Sequence, residues 1–355
     1  MKKLSELRAQ IDQIDAQLVA LLNERARCVQ QIAQLKRRSR KPFFTPEREQ
    51  SIYRRLHKLN RGPLSSSQLR AIFREIISVA RALEKSLTIA FWGPEGTFSH
   101  LAAIQCFGRA AQLLPVESIA DVFAEVEKSN ADYGVVPVEN SLAGVVPETL
   151  DTFPHTNVRI CAEVYVPIVH HLLSKCSHLE AVKRVYAGPQ PLQQCRRWLR
   201  MHLPNAEIIE IAPTVKAAQR ALEDPESAAI GNALTAELLG LPILCEHIED
   251  NSHNRTRFLV IGYNEPAPTG KDKTSLLFTL RNRPGELYRA LGAFERNGVN
   301  MTMIESRPNP RGTFEYLFFV DIQGHHRDEA VQQALQELQN YALEVVLLGS
   351  YPAAD

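Results

Sequence analysis

Four charged side chains occupy positions where the sequence pattern calls for apolar or inner-face residues. Leu4, Leu7, Ile11, Ile14, Leu18, Leu21, Cys28, Ile32 and Leu35 step by three and four, and Arg25 sits in the same seam. Arg8 and Lys36 share one flanking heptad position, 28 residues apart, and Glu84 lies one turn beyond Ala80 on the inner face of a later helix. Charge on an inner face is costly unless paired. Two readings account for it: internal ion pairs that set helix register, or cations gathered to hold a small polyanion, whose carboxylates suit the forked guanidinium. Further along, Gly93-Pro94-Glu95-Gly96-Thr97-Phe98-Ser99 lies between a strand and a helix. It is either an ordinary turn or an anion site of backbone N–H groups and Ser99. Val136-Pro137-Val138-Glu139-Asn140-Ser141-Leu142-Ala143-Gly144, Gly188-Pro189-Gln190-Pro191-Leu192-Gln193-Gln194-Cys195 and Asn254-Arg255-Thr256-Arg257-Phe258 are rich in polar and turn-forming residues. Taken singly, each fits local loop chemistry.

The elements that must position these residues divide the 355-residue chain into three. Residues 1–86 hold 19 Lys/Arg against 8 Asp/Glu, a net of +11, and the remainder balances this to a chain net of +1. A basic front module wants an anionic partner. Its apolar seam runs for more than four heptads, and a helix of that length spans roughly 50 Å. So long a seam requires the following helices, and a second subunit, to cover it. Thr45-Pro46-Glu47 announces a second helix and Ser65-Ser66-Ser67-Gln68 caps a third, with Leu69, Ile72, Phe73, Ile76, Ala80 and Leu83 on one face. From Leu87 the pattern becomes alternating short strands and helices, an α/β module over 87–265. Its strands are expected at 88–92, 133–138, 160–166, 182–186, 208–211, 228–230 and 257–261. Beyond Pro268-Thr269-Gly270, residues 272–355 read βαββαβ, a ferredoxin-like order, with strands at 273–281, 299–305, 314–322 and 343–348.

The front pattern resembles the all-helical chorismate mutases. The resemblance places Arg8, Arg25, Lys36, Arg48, Glu49 and Glu84 at that family's substrate-binding positions. It implies that the arginines bind the two carboxylates of chorismate, with Arg8 lent by the partner subunit. Lys36 then serves the ether oxygen and Glu49 a substrate hydroxyl. The rearrangement to prephenate is pericyclic, so the protein must hold the folded conformer and stabilise charge on the breaking ether bond. Glu84 must be protonated to face that oxygen, and mutase activity is expected to fall as pH rises. Thr45 and Ala80 depart from the Asp and Ser common in related enzymes.

The middle motifs, in this order, resemble prephenate dehydratase, which implies two lobes like those of periplasmic binding proteins and a site in the cleft. The dehydratase reaction expels CO2 from one ring carbon and the hydroxyl from the opposite one, and hydroxide leaves poorly, so a proton donor is needed. The resemblance gives that role to Thr256. It offers Asn140, Glu139, Gln194 and Ser99 to hold hydroxyl and carboxylates, with Arg257 and Phe258 as further substrate contacts. Strand alternation turns Arg257 away from Thr256 unless the backbone is irregular; otherwise Arg257 is an ion-pair residue. Ala187-Gly188 stands where many members have Ser-His, so if that serine binds substrate in the family, Ala187 loses a hydrogen bond here. The last module resembles a phenylalanine-binding ACT domain. Asn282, Pro284, Gly285 and Leu287, then Asn300, then Glu305, Ser306, Arg307 and Pro308 carry its ligand motifs, and Glu286 departs from the usual alanine.

The combined resemblance implies a bifunctional isomerase and lyase of phenylalanine biosynthesis, inhibited by phenylalanine and built as a homodimer or higher even oligomer. No metal or organic cofactor is implied. The six cysteines are scattered without metal-ligand spacing, and no apolar run matches a membrane span or a signal core, so a cytoplasmic enzyme without a membrane partner is expected. One rival is a ligand-sensing DNA-binding regulator. Its helix-turn-helix needs short helices joined by a tight turn, which the long first helix does not provide, so no nucleic-acid partner is expected. The other rival is a pseudoenzyme that only binds phenylalanine.

Overall fold

The computed structural model describes residues 2–39, 42–308 and 316–354. The chain divides into two compact units. The first comprises Met1–Leu87 with Phe107–Gln112. Its helices are α1 (Lys2–Ser39), α2 (Pro46–Leu59) and α3 (Ser66–Glu84). The Ser65 hydroxyl accepts from Gln68 N while the Gln68 side chain accepts from Ser65 N, the capping box read in the sequence. Thr45, by contrast, makes no side-chain cap; its carbonyl alone receives Arg48 N and Glu49 N.

The seam of α1 is bare in the single chain: Leu4, Leu7, Ile11, Ile14, Leu18 and Leu21 are each at least half exposed. Of the expected inner face of α3, Ala80 and Glu84 are buried and Leu69, Phe73 and Ile76 half-buried, while Ile72 and Leu83 are exposed in the single chain; Ile77, Ser78 and Arg81 are buried in addition. The cause is the Phe107–Gln112 segment. Ser78 Oγ accepts from Ala110 N, Arg81 Nη2 donates to Phe107 O at 2.9 Å, and the Arg81 guanidinium lies over the rings of Phe44 and Phe107.

The second unit comprises Thr88–Cys106 and Leu113–Asp355. Its elements in chain order are β1 (Thr88–Trp92), α4 (Phe98–Phe107), β2 (Gln112–Val116), α5 (Ile119–Glu127), β3 (Tyr133–Asn140), β4 (Gly144–Val145), α6 (Pro147–Thr152), β5 (Arg159–Pro167), β6 (His171–Ser174), β7 (Arg184–Ala187), α7 (Pro189–Gln194), α8 (Arg196–His202), β8 (Glu207–Glu210), α9 (Thr214–Glu223), β9 (Ser227–Gly231), α10 (Ala233–Leu239), β10 (Ile243–Cys245), β11 (Arg255–Gly262), β12 (Asp272–Leu280), α11 (Glu286–Arg296), β13 (Met301–Pro308), β14 (Tyr316–Gln323), α12 (Glu329–Leu338) and β15 (Glu344–Pro352). Strands β2, β4, β6 and β10 were not anticipated. Phe314, expected to begin a strand, lies outside the described residues.

Three sheets result, in the orders β2-β1-β3-β11-β5 with β4 on β3, β10-β6-β9-β7-β8, and β13-β14-β12-β15. The first two are the lobes. The chain leaves the first lobe after β5 and returns at β11, and the two crossings are tied by Ile168 N donating to Asn254 O at 2.9 Å. The third sheet buries one face on α11 and α12 and adds Leu277, Phe319, Leu348 and Tyr351 of the other face to the first lobe's core. Gly349 of β15 lies so close to the Ile160 carbonyl of β5 that a Cβ would collide with it.

Candidate active sites and ligand site

In the first unit, α1, α2 and α3 each contribute to one charged cluster. Lys36 Nζ lies 2.9 Å from Glu84 Oε2, and Arg37 Nη2 donates to the Glu84 carbonyl at 2.8 Å. Arg81 Nη1 lies 3.4 Å from Glu49 Oε1. Burial pushes the Glu49 carboxyl above its ordinary range; the Arg81 charge opposes this, Glu47 adds to it and Lys36 opposes it. Lys36, Glu49 and Glu84 are therefore gathered as expected, and Arg81 joins them unanticipated. Arg25 is half-buried, while Arg48 and Arg8 are exposed. Arg8 stands 28 residues up α1 from Lys36, roughly 42 Å along a straight helix, so one chain cannot bring both to one small ligand.

In the second unit, Thr256 is the second residue of β11 and pairs in register with Asn140 at the end of β3. Asn140 Nδ2 donates to Thr256 Oγ1 and to Asn254 Oδ1, each at 2.9 Å. Asn140 Oδ1 accepts from Leu142 N and Ala143 N, which fixes the amide orientation. With an N–H aimed at its oxygen, the Thr256 hydroxyl keeps its own proton free to donate elsewhere. Across the hinge, Gln194 at the end of α7 meets His170: Nε2 and Oε1 are 2.7 Å apart. The His170 ring packs edge-on against Phe98, next to Ser99 at the start of α4. Burial holds the His170 imidazole below its ordinary range, and its buried Nδ1 has no hydrogen-bond partner among the described residues.

Three expectations for this cleft change. Arg257 does not share the face of Thr256. Although the β3 partner register shifts beside it, its side chain is buried on Glu163 and Asp321, so the ion-pair reading holds and substrate contact does not. Glu139 pairs in register with Arg257, and strand alternation puts it on that same face, away from Asn140. Phe258 is a core residue, 2% exposed. The Gly93–Ser99 turn is tied across the lobes, with Gly96 O accepting from Asn232 Nδ2 and Thr235 Oγ1, and Gly96 N already donates to His100 Nδ1. Ala187 is wholly buried in the second lobe's core, so its methyl packs rather than replacing a cleft hydrogen bond.

In the third sheet, Gly285 has φ +81°, a left-handed value that favours glycine, at the entry to α11. The Asn282–Gly285 turn follows the end of β12, and Leu280, Tyr316 and Pro308 align across β12, β14 and β13. The turn thus shares one end of the sheet with Glu305–Pro308, whereas Asn300 precedes β13 at the other end. Eight strand residues separate them, about 25 Å, so within one chain Asn300 does not join the other ligand-motif residues. Arg307 is engaged by Asp151 of α6, with Nε 2.8 Å from Oδ1. Leu287 is at the surface, and Glu286 pairs with Arg289 at 3.0 Å.

Family models match in the same order: chorismate mutase type II over residues 7–85, prephenate dehydratase over 89–266 and the ACT domain over 274–340. A bifunctional chorismate mutase/prephenate dehydratase of Aquifex aeolicus is 44% identical, with 100% of this chain and 99% of the relative covered. The chain belongs to the bifunctional chorismate mutase/prephenate dehydratase family. A second relative with that name, from Stutzerimonas stutzeri, is 42% identical over 99% of this chain and 98% of its own. Among solved structures, a prephenate dehydratase from Arthrobacter aurescens in complex with L-Phe is 36% identical with a TM-score of 0.71, over 76% of this chain and 91% of that one.

Within this bifunctional mutase/dehydratase, the sequence reading missed Arg81 and His170. Arg81 sits one residue beyond Ala80 of the apolar face, where an arginine reads as solvent-facing. His170 precedes a four-residue strand, and no pattern in the sequence distinguishes it from His171. Among the described residues no helix is long and apolar enough to cross a membrane, and no His, Cys, Asp and Glu group has the makings of a metal site.

Proposed function

We propose that this chain converts chorismate to prephenate in its helical module and prephenate to phenylpyruvate in its two-lobed module, as an enzyme of phenylalanine biosynthesis inhibited by phenylalanine. The observation that carries the reading is the pairing of two chemically apt clusters, Lys36–Glu84 with Glu49, and Asn140–Thr256, on one chain whose whole length matches the bifunctional family. Purified protein supplied with chorismate should consume it and release phenylpyruvate, followed in the ultraviolet; a chain that consumes neither chorismate nor prephenate sinks the reading.

For the mutase, Arg25 and Arg48, with Arg8 from a second copy, bind the two substrate carboxylates, and Lys36 turns from Glu84 to the ether oxygen. The bare seam of α1 and the distance from Arg8 to Lys36 support a homodimer in which two long helices cover each other. Glu84 pairs with the Lys36 ammonium at 2.9 Å in the free protein, and Lys36 exchanges this partner for the ether oxygen when substrate binds.

Glu49 controls the acidic side. It accepts most strongly from a substrate hydroxyl as the ionised carboxylate, and burial has raised its pKa, so activity declines as pH falls through that raised value. Arg81 faces it from α3, Lys36 from α1 and Glu47 from its own helix. Removing the Arg81 cation should raise Glu49 further. In Arg81→Leu the acidic limb of mutase kcat/KM is therefore expected at higher pH than in the parent enzyme; a limb that stays in place or moves down contradicts the assignment.

For the dehydratase, Thr256 donates its proton to the departing hydroxyl as the carboxylate leaves as CO2, and the ring electrons close to an aromatic system. Asn140, held by two backbone N–H groups, steadies the oxygen that gives up the proton. His170 and Gln194 present polar groups from the other side of the hinge, with Ser99 beside them on α4. Phenylalanine is bound by the Asn282–Leu287 turn, Glu305–Pro308 and Asn300 of a second copy.

A further inference from the structure

The face of β11 opposite Thr256 carries a buried ion network that crosses into the ACT module. Arg257 is at its centre. Its Nε lies 2.7 Å from Glu163 Oε2 on β5, its Nη1 2.5 Å from Asp321 Oδ2 on β14, and its Nη2 2.9 Å from the Tyr351 hydroxyl on β15. Lys273 of β12 closes the second pair, with Nζ 2.8 Å from Glu163 Oε2. Ser275 donates to Asp321 and shares a 2.7 Å hydrogen bond with Tyr351. Two cations and two carboxylates balance, and both carboxylates are at most 1% exposed. Three of the network's strands belong to the ACT sheet, while the other two belong to the first lobe.

A neutral buried quartet is sensitive to the removal of one member, because the remaining charge is left uncompensated. It also has a direction. Arg257 is adjacent to Thr256 in the chain, next to the register shift between β11 and β3. Asp321 lies on the strand that pairs with β13, where Glu305, Ser306 and Arg307 face Phe319, Phe318 and Leu317. A displacement of β14 against β5 therefore changes the pull on Arg257 and, through one peptide link, the placement of the Thr256 hydroxyl.

We infer that Asp321, through Arg257, is a positioning residue for the dehydratase reaction: the ACT sheet completes the mounting of Thr256, and phenylalanine acts on the reaction by shifting the Asp321–Arg257 contact. This rests on the reading of Thr256 as the proton donor. The network uses an ACT-domain carboxylate for catalysis in the absence of any effector, so the regulatory module is also part of the catalytic support. Coupling of this kind requires that phenylalanine favour one of two placements of the contact.

The test uses the full chain with prephenate as substrate. Asp321→Asn keeps the shape and removes the charge. Dehydratase kcat is expected to fall about tenfold with KM changed less than about twofold, the signature of a misplaced catalytic group and not of lost substrate binding. Phenylalanine should still bind, measured by calorimetry, yet inhibit the variant far less than the parent. Arg257→Met is compared with the double variant Arg257→Met/Asp321→Asn. If Asp321 acts through Arg257, the double variant is no slower than Arg257→Met alone. Full parental kcat and inhibition in Asp321→Asn, multiplying losses in the double variant, or a kcat loss matched by an equal loss of phenylalanine-binding protein each overturn the inference. Thr256→Ala run alongside separates the two readings. Activity kept there sinks the reading of Thr256; activity lost there with Asp321→Asn unaffected sinks the coupling.

Discussion

Thr256→Val should lower prephenate turnover by about 10³-fold, within the range for removing a positioned acid, while chorismate turnover by the same protein stays unchanged. Valine keeps the shape and β-branching of threonine at a position only 8% exposed, so strand β11 is preserved and the hydroxyl alone is removed. The loss should fall on kcat, because the proton is needed as the carbon–oxygen bond breaks and not when prephenate binds. Asn140 Nδ2 then faces a methyl group and keeps Asn254 Oδ1 and, at 3.4 Å, the Arg255 carbonyl, so the lost hydrogen bond costs about 1 kcal/mol of stability. A melting curve therefore accompanies the kinetics. Turnover within tenfold of the parent would move the acid role to another group, with His170 the next to test.

The second large effect concerns the mutase and its dependence on a partner. Arg8→Ala and Lys36→Ala are each expected to reduce mutase kcat/KM by about 10²–10³-fold, the scale for losing a charged contact to a developing or bound anion. Since Arg8 and Lys36 lie too far apart on one helix to share a ligand, each site takes Arg8 from one chain and Lys36 from the other. Mixing the two inactive variants and allowing exchange then creates dimers with one doubly defective site and one intact site. Half the dimers are mixed at random assembly, so activity should return to about a quarter of the parental value. No recovery after verified exchange means that both residues serve from the same chain or that Arg8 does not bind substrate.

Much of this architecture was legible because it is local. Heptad spacing defined α1, the Ser65–Gln68 box fixed the start of α3, and continuous apolar runs marked β3, β5 and β11. Missed strands lacked that signal: β6 opens on His171, β2 contains Pro115, and β10 has three residues held by pairing with β6. The reading of α3 was incomplete for a different reason: Ile72 and Leu83 belong to an apolar surface that a single chain leaves open, while Ser78 and Arg81 are buried by residues 32 and 26 positions downstream. The same distance effect hid the role of Arg257. Alternation gave its direction, but its partners Glu163 and Asp321 lie 94 and 64 residues away and appear in no local pattern. Glu139 belonged to a recognisable motif, yet the motif does not say which of its residues face the cleft; the pairing of Asn140 with Thr256 does.

The most direct measurement follows chorismate loss and phenylpyruvate formation together on the purified full chain, with and without phenylalanine, beside Arg25→Ala and Thr256→Val. The expected result is that the parent carries chorismate through to phenylpyruvate and slows when phenylalanine is added. Arg25→Ala should stall at chorismate yet still convert supplied prephenate, and Thr256→Val should accumulate prephenate. A parent protein that binds phenylalanine while leaving both substrates untouched would contradict the assignment and leave a phenylalanine sensor in its place.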